Sequence, residues 1–147
     1  MYSETETKEA NAKLETLLNK DKTKWMNDMH DLIDKLKNIR ELSSCQVNML
    51  SYRQRLLDKV TELKIMIYKR NTVWDRHFKT KYREYSLNYD LKLNRDERKD
   101  FINADMGPFK LQIKLLETHI DFYKDCIKTL DNMGFAIRNR IRLEDDE

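Results

Sequence analysis

Glycine and proline are almost missing: the 147 residues contain 2 glycines and 1 proline. Tight hairpins, phosphate-binding loops and dinucleotide-binding turns place glycine where φ is positive, and this chain has almost none to put there. Sheet-rich folds and the common nucleotide-binding architectures are therefore unexpected. Cysteine is equally sparse. Cys45 and Cys126 show no CxxC spacing and no histidine close to either, so neither a disulfide framework nor a zinc site is expected. No apolar run approaches the roughly 18 residues of a membrane-spanning helix. The N-terminus also lacks a signal peptide's basic start and apolar stretch. These features lead to the expectation of no membrane partner and work in a reducing cytoplasm.

What is present is charge. Charged residues make up 37% of the chain and hydrophobic ones 39%, which is the balance of long amphipathic helices with thin apolar stripes. The expected fold class is all-α, with long amphipathic helices forming an antiparallel helical pair or bundle that oligomerises. The length suits one domain with a core. Within it, residues 1–43 read as an N-terminal helical segment and 44–147 as a helical core.

The first helix is expected from about Ser3 to Arg40, with Ser3 and Glu6 at capping-box spacing. Leu14, Leu18, Trp25, Met29, Leu32, Leu36 and Ile39 recur along one face. The polar interval Asn19–Lys24 suggests a break, and Ser44 suits the cap of a second helix. That helix, about Cys45 to Tyr85, carries Leu56, Val60, Leu63, Ile67, Trp74, Phe78, Tyr82 and Tyr85 near heptad spacing. At about 1.5 Å per residue it would be roughly 60 Å long, too long for a thin seam to be buried by a compact monomer. It needs an antiparallel partner within the chain, neighbours from other subunits, or both. Residues 86–93 read as a loop, Asn94 as the cap of a short helix, and Gly107-Pro108 as a kink or restart. A last helix from about Pro108 to Leu143 carries a second seam from Phe109 to Ile141. Gly134, inside that seam, marks either a close approach or a local bend.

No catalytic pattern emerges. His30, His77 and His119 share no metal-ligand spacing, and Glu117 and Asp121 beside His119 read as surface charge. The paired ExxH pattern of di-metal bundles is missing, as are G-x-S-x-G and the phosphate-loop motif. The expectation is a non-enzyme with no cofactor and no metal.

The distinctive feature is a basic block. From Lys64 to Arg83 there are seven basic residues (Lys64, Lys69, Arg70, Arg76, Lys79, Lys81 and Arg83) against one acid, Asp75, a net of +6 where the whole chain carries +3. Aromatic residues interleave it: Tyr68, Trp74, Phe78, Tyr82, Tyr85 and Tyr89. Sequence-independent binding of single-stranded nucleic acid uses cations along phosphates and rings against bases. The plainer alternative is that Trp74, Phe78 and Tyr82 are simply the buried seam. The basic side chains remain free for phosphate in either case.

The segment Ile120 to Ile141, above all Asn132-Met-Gly-Phe-Ala-Ile137 followed by basic residues, resembles the C-terminal helix of the UvsY family of phage recombination mediators. Ile102-Asn-Ala-Asp105 and Phe78-Lys-Thr-Lys-Tyr-Arg-Glu-Tyr-Ser86 resemble two further stretches of that family, and the likeness runs, with gaps, from about Val47 to Ile141. The first forty residues match poorly, Leu87 stands where a glycine is expected, and Gly107-Pro108 interrupts a helix that is continuous in the family.

The resemblance implies a non-catalytic recombination mediator. Such a protein binds single-stranded DNA and promotes loading of the phage recombinase onto DNA coated by the single-stranded-DNA-binding protein. It implies a homo-oligomer, a heptameric ring, in the host cell cytoplasm. The family's Lys-x-Arg DNA-binding pair matches Lys79 and Lys81, with Lys69, Arg70, Arg76 and Arg83 as support. Lysine at the second position keeps the charge and loses the planar fork of arginine. Arg138, Arg140 and Arg142 would either extend this surface or neutralise the carbonyl end of the last helix. The charge reversal after Arg142 suggests that the acidic tail, residues 144–147, shields the basic surface. The residues alone also admit a coiled-coil structural or assembly protein without DNA binding.

Overall fold

Four α-helices and one short 3-10 turn organise the described residues, 4–87 and 93–145, in the computed structural model of the protein. Helix α1 is Glu4–Lys35, a 3-10 turn follows at Ile39–Glu41, and α2 is Leu42–Leu87. Helix α3 is Arg95–Asp105 and α4 is Gly107–Asp145. No strand occurs among the described residues. The all-α expectation holds. The chain forms two compact units: Met1–Leu17 with Lys64–Glu117, and Leu18–Leu63 with Thr118–Glu147. Their boundaries fall within α1, α2 and α4.

In the unit of 18–63 and 118–147, three helical segments share a core of buried side chains. Trp25 and Tyr52 meet edge to face at 5.8 Å, and the Cys45 thiol points at the Leu32 carbonyl oxygen, 3.7 Å away. Residue numbers fall along α1 as they rise along α2, so the two run antiparallel. Arg53 Nε donates to Asp131 at 2.8 Å, and the Met49 methyl lies 4.0 Å from a Cβ built at Gly134, so α2 and α4 are antiparallel too. The expected helix pair is therefore joined here by α1 as a third member. Leu32, Cys45, Leu56, Leu130 and Ile137 are among its buried side chains. Asn38 accepts from Arg40 N at 3.1 Å and starts the 3-10 turn. Arg140 donates to the Leu36 carbonyl, and to that of Lys37 at 3.4 Å. These are carbonyls that the end of α1 leaves without helical partners.

The unit of 4–17 and 64–117 is built differently. Ile102, Met106, Ile113 and Leu116 are buried, and the buried Asn11 donates through Nδ2 to the Pro108 carbonyl at 2.6 Å. Asn94 caps α3 as expected: its side-chain oxygen accepts from Glu97 N at 2.8 Å. The chain restarts at Gly107-Pro108, where proline sits in the first turn of α4 and needs no amide.

Three expectations need correcting. Helix α1 runs unbroken through Asn19–Lys24. That interval holds no glycine or proline, Thr23 donates to the Asn19 carbonyl at 3.0 Å, and Asp21 finds partners on α4. Helix α2 starts at Leu42 instead of being capped by Ser44, because the turn begun at Asn38 leads straight into it. It also runs on through Ser86 to Leu87, where a loop was expected. The remainder of that loop, residues 88–92, lies outside the described residues, as does Ser3 of the proposed capping box. The side chains of the acidic tail lie outside them as well. At Gly134 the helix is uninterrupted, and the nearest atom leaves ordinary contact distance for a methyl group.

Candidate nucleic-acid interface

At about 100° per residue, positions seven apart return to nearly the same side of a helix. Lys69, Arg76 and Arg83 have that spacing on α2, and Lys79 lies one turn from both Arg76 and Arg83. All four are exposed. They form a cationic row on the outer side of the 64–87 segment. The other two basic residues of the expected site lie elsewhere. Arg70 and Lys81 fall roughly 100–180° around the helix from the members of this row, toward the packed side, and both are half-buried. Lys81 pairs with Glu84 at 3.6 Å, and Arg70 Nε is enclosed without a protein partner. Lys79 and Lys81, the pair singled out by resemblance, therefore do not share one surface. Two residues along a helix are about 200° apart.

The rings behave unlike the cations. Trp74 and Phe78 are half-buried and stack on each other at 5.1 Å. His77 sets its edge against Phe109 at 6.3 Å. Tyr82 lies under the Arg98 guanidinium, 5.5 Å from the ring centre. Tyr85 stacks on Phe101 at 5.8 Å and donates through its hydroxyl to Asp105. Tyr68 alone among the described aromatic residues of this segment stands well out, at 73% exposure. Tyr89 lies outside the described residues. The seam reading of Trp74, Phe78 and Tyr82 thus fits better than a row of open stacking platforms, although none of these rings is fully buried.

One polar cluster escaped sequence reasoning. In the unit of 18–63 and 118–147, the Asp21 carboxylate accepts from His119 Nε2 at 2.9 Å and from the Tyr123 hydroxyl. His119 and Tyr123 are 5% and 3% exposed. Burial, then the hydrogen bond to Asp21, then nearby negative charge push the Tyr123 phenol well above its ordinary range. Its partners lie almost a hundred residues apart, so no local spacing signals them. Glu117 and Asp121, beside His119 in sequence, are exposed and take no part. Both thiols are free and buried, and burial raises their pKa values, which leaves little reactive thiolate near neutral pH. Among the described residues no group of three acidic, histidine or cysteine side chains could hold a metal ion, and no helix is long and apolar enough to cross a membrane.

Of the C-terminal arginines, Arg140 caps the carbonyl end of α1 rather than that of its own helix. Arg138 lies over the Phe135 ring at 4.6 Å. No family model, curated protein or solved structure matches the chain.

Proposed function

We propose that this protein is a non-catalytic recombination mediator that binds single-stranded DNA and promotes loading of a phage recombinase onto DNA coated by single-stranded-DNA-binding protein. The observation that carries the reading is the exposed row Lys69, Arg76, Lys79 and Arg83 on α2. Its charges are about 10 Å apart at seven-residue spacing and suit a phosphate backbone without reading sequence. The resemblance of Ile120–Ile141 to the UvsY family supplies the biological setting: recombinase and single-stranded-DNA-binding protein as partners, and the host cytoplasm.

Self-association into a ring, with seven subunits as the family's number, multiplies weak sites into a strong one by effective concentration. Val47, Leu50 and Leu57, spaced three and seven apart, favour it: they are 66%, 65% and 36% exposed. The same stripe also favours the second reading, an assembly protein that ignores DNA.

The test is binding of fluorescent oligo(dT) at two salt concentrations by the wild type, Lys79→Ala and Lys81→Ala, with oligomeric state checked for each. The mediator reading expects salt-sensitive binding that Lys79→Ala weakens by several-fold and Lys81→Ala weakens less. A wild type that binds no oligo(dT) at low salt leaves the assembly reading.

A further inference from the structure

In the 64–87 segment of α2, the exposed cations and most of the rings stand on different sides of the helix. Residues 124–142 of α4, in the unit of 18–63 and 118–147, are arranged otherwise. Lys128, Phe135 and Arg142 are seven apart, so they return to nearly the same side at intervals of about 10 Å. Lys124 lies one turn before Lys128, and Arg138 lies one turn from both Phe135 and Arg142. All five are exposed, Phe135 at 59%. Its neighbours two residues to either side, Met133 and Ile137, are buried and face the core, so the Phe135 ring lies outside that core. The Arg138 guanidinium lies 4.6 Å from the centre of this ring and is steadied by donation from Nε to the Gly134 carbonyl at 3.3 Å. Between Lys128 and Arg142 the one acid is Asp131, and Arg53 of α2 pairs with it at 2.8 Å. The sequence turns acidic only beyond Leu143.

We propose that this side of α4 is a second contact for single-stranded nucleic acid, in which a base stacks on Phe135 while Lys128, Arg138 and Arg142 hold phosphates. The inference rests on the DNA-binding reading above and adds a site which that reading does not contain. An exposed ring set among exposed cations is the combination that a single strand requires, and here both stand on one side of one helix. Every base has a π face, and phosphate contacts carry no sequence information. The contact is therefore blind to sequence, as is the row on α2. The guanidinium at the ring serves both parts of the strand: its plane accepts a stacked base, and its N–H groups donate to phosphate oxygens.

The experiment measures the affinity of the full chain for fluorescent oligo(dT) at fixed salt, with oligomeric state and thermal unfolding checked for each protein. Phe135→Ala is expected to weaken binding about fivefold or more, the low end of what one stacked base contributes, with its unfolding midpoint unchanged. Phe135→Trp keeps a flat ring and should bind within about twofold of wild type. Irradiation of the wild-type complex should attach thymine to the tryptic peptide Thr129–Arg138, whose sole aromatic residue is Phe135. Wild-type binding that Phe135→Ala leaves unchanged, or that Phe135→Trp weakens equally, overturns the α4 contact and leaves the DNA reading standing. Crosslinks confined to other peptides do the same. So does a loss in Phe135→Ala that comes with a changed oligomeric state, since the ring would then serve contact between copies. Absence of binding by the wild type overturns the DNA reading, and the α4 contact with it.

Discussion

Between Leu42 and Leu63, helix α2 buries six side chains (Leu42, Cys45, Met49, Leu56, Val60 and Leu63), whereas none from Lys64 to Leu87 is buried. The seam spacing hardly changes between the two stretches; the residues do. The first stretch offers compact aliphatic and sulfur-containing side chains that interlock and exclude water. The second offers Trp74, Phe78, Tyr82 and Tyr85, whose broad faces remain half-wet and whose partners are other rings, a guanidinium and a carboxylate. Contacts of the first kind are costly to open. Those of the second kind are already partly in water and cost less to open. The comparison teaches that stability is concentrated in the first stretch, and that the second combines exposed cations on one side with half-buried rings on the other.

The largest effect separates the two stretches directly. Leu56→Ala, at a position with no exposure, should cost about 2–5 kcal/mol, while Phe78→Ala, at a half-buried position, should cost only about 1–2 kcal/mol. Urea unfolding of both variants gives the answer; equal losses would break the comparison.

Next comes Tyr123. Its phenol has a raised folded-state pKa, so the stability it contributes is fully present below its unfolded value of about 10 and is lost as pH rises beyond it. Tyr123→Phe should lower stability by about 1 kcal/mol near neutrality through the lost bond to Asp21. It should also flatten the decline of the unfolding midpoint above about pH 10. Parallel pH profiles for variant and wild type would contradict this.

The smallest effect has the opposite sign. Gly134→Ala meets nothing closer than the Met49 methyl at 4.0 Å, so helix propensity should dominate, with a gain of about 0.5–1 kcal/mol in thermal unfolding. A loss there would mean that the core of this unit is tighter than the distance implies.

Much of the fold is legible in the sequence because its determinants are local and periodic. Leu56, Val60 and Leu63 on α2, and Ile113, Leu116, Ile120, Tyr123, Leu130 and Ile137 on α4, stand on the expected seams and are buried. The Asn94 cap and the restart at Gly107-Pro108 follow from single-residue chemistry. What is not legible depends on distant partners. The polar stretch Asn19–Lys24 looks like a break until Asp21 meets His119 and Tyr123. Arg140 looks like a cap for its own helix until the end of α1 claims it.

The candidate site falls between these cases. Net charge identifies the basic segment, and the seven-residue spacing of Lys69, Arg76 and Arg83 already separates the outer row from Arg70 and Lys81. A count of charges without helical phase does not. The covering of Tyr82 and Tyr85 by α3 could not be foreseen, because Arg98 and Phe101 belong to another element.

The most direct measurement is the salt dependence of oligo(dT) affinity for three proteins: wild type, a variant with Lys69, Arg76, Lys79 and Arg83 all changed to Ala, and a control with Arg55→Ala and Lys59→Ala in the 42–63 stretch. Each phosphate contact on a single strand contributes about 0.7 to the slope of log K against log salt. The outer row should therefore account for most of the slope, with its removal bringing affinity close to the detection limit and the control matching wild type. A wild-type slope retained by the fourfold variant, or lost equally in the control, would place the binding surface elsewhere and contradict the assignment of DNA binding to the outer side of 64–87.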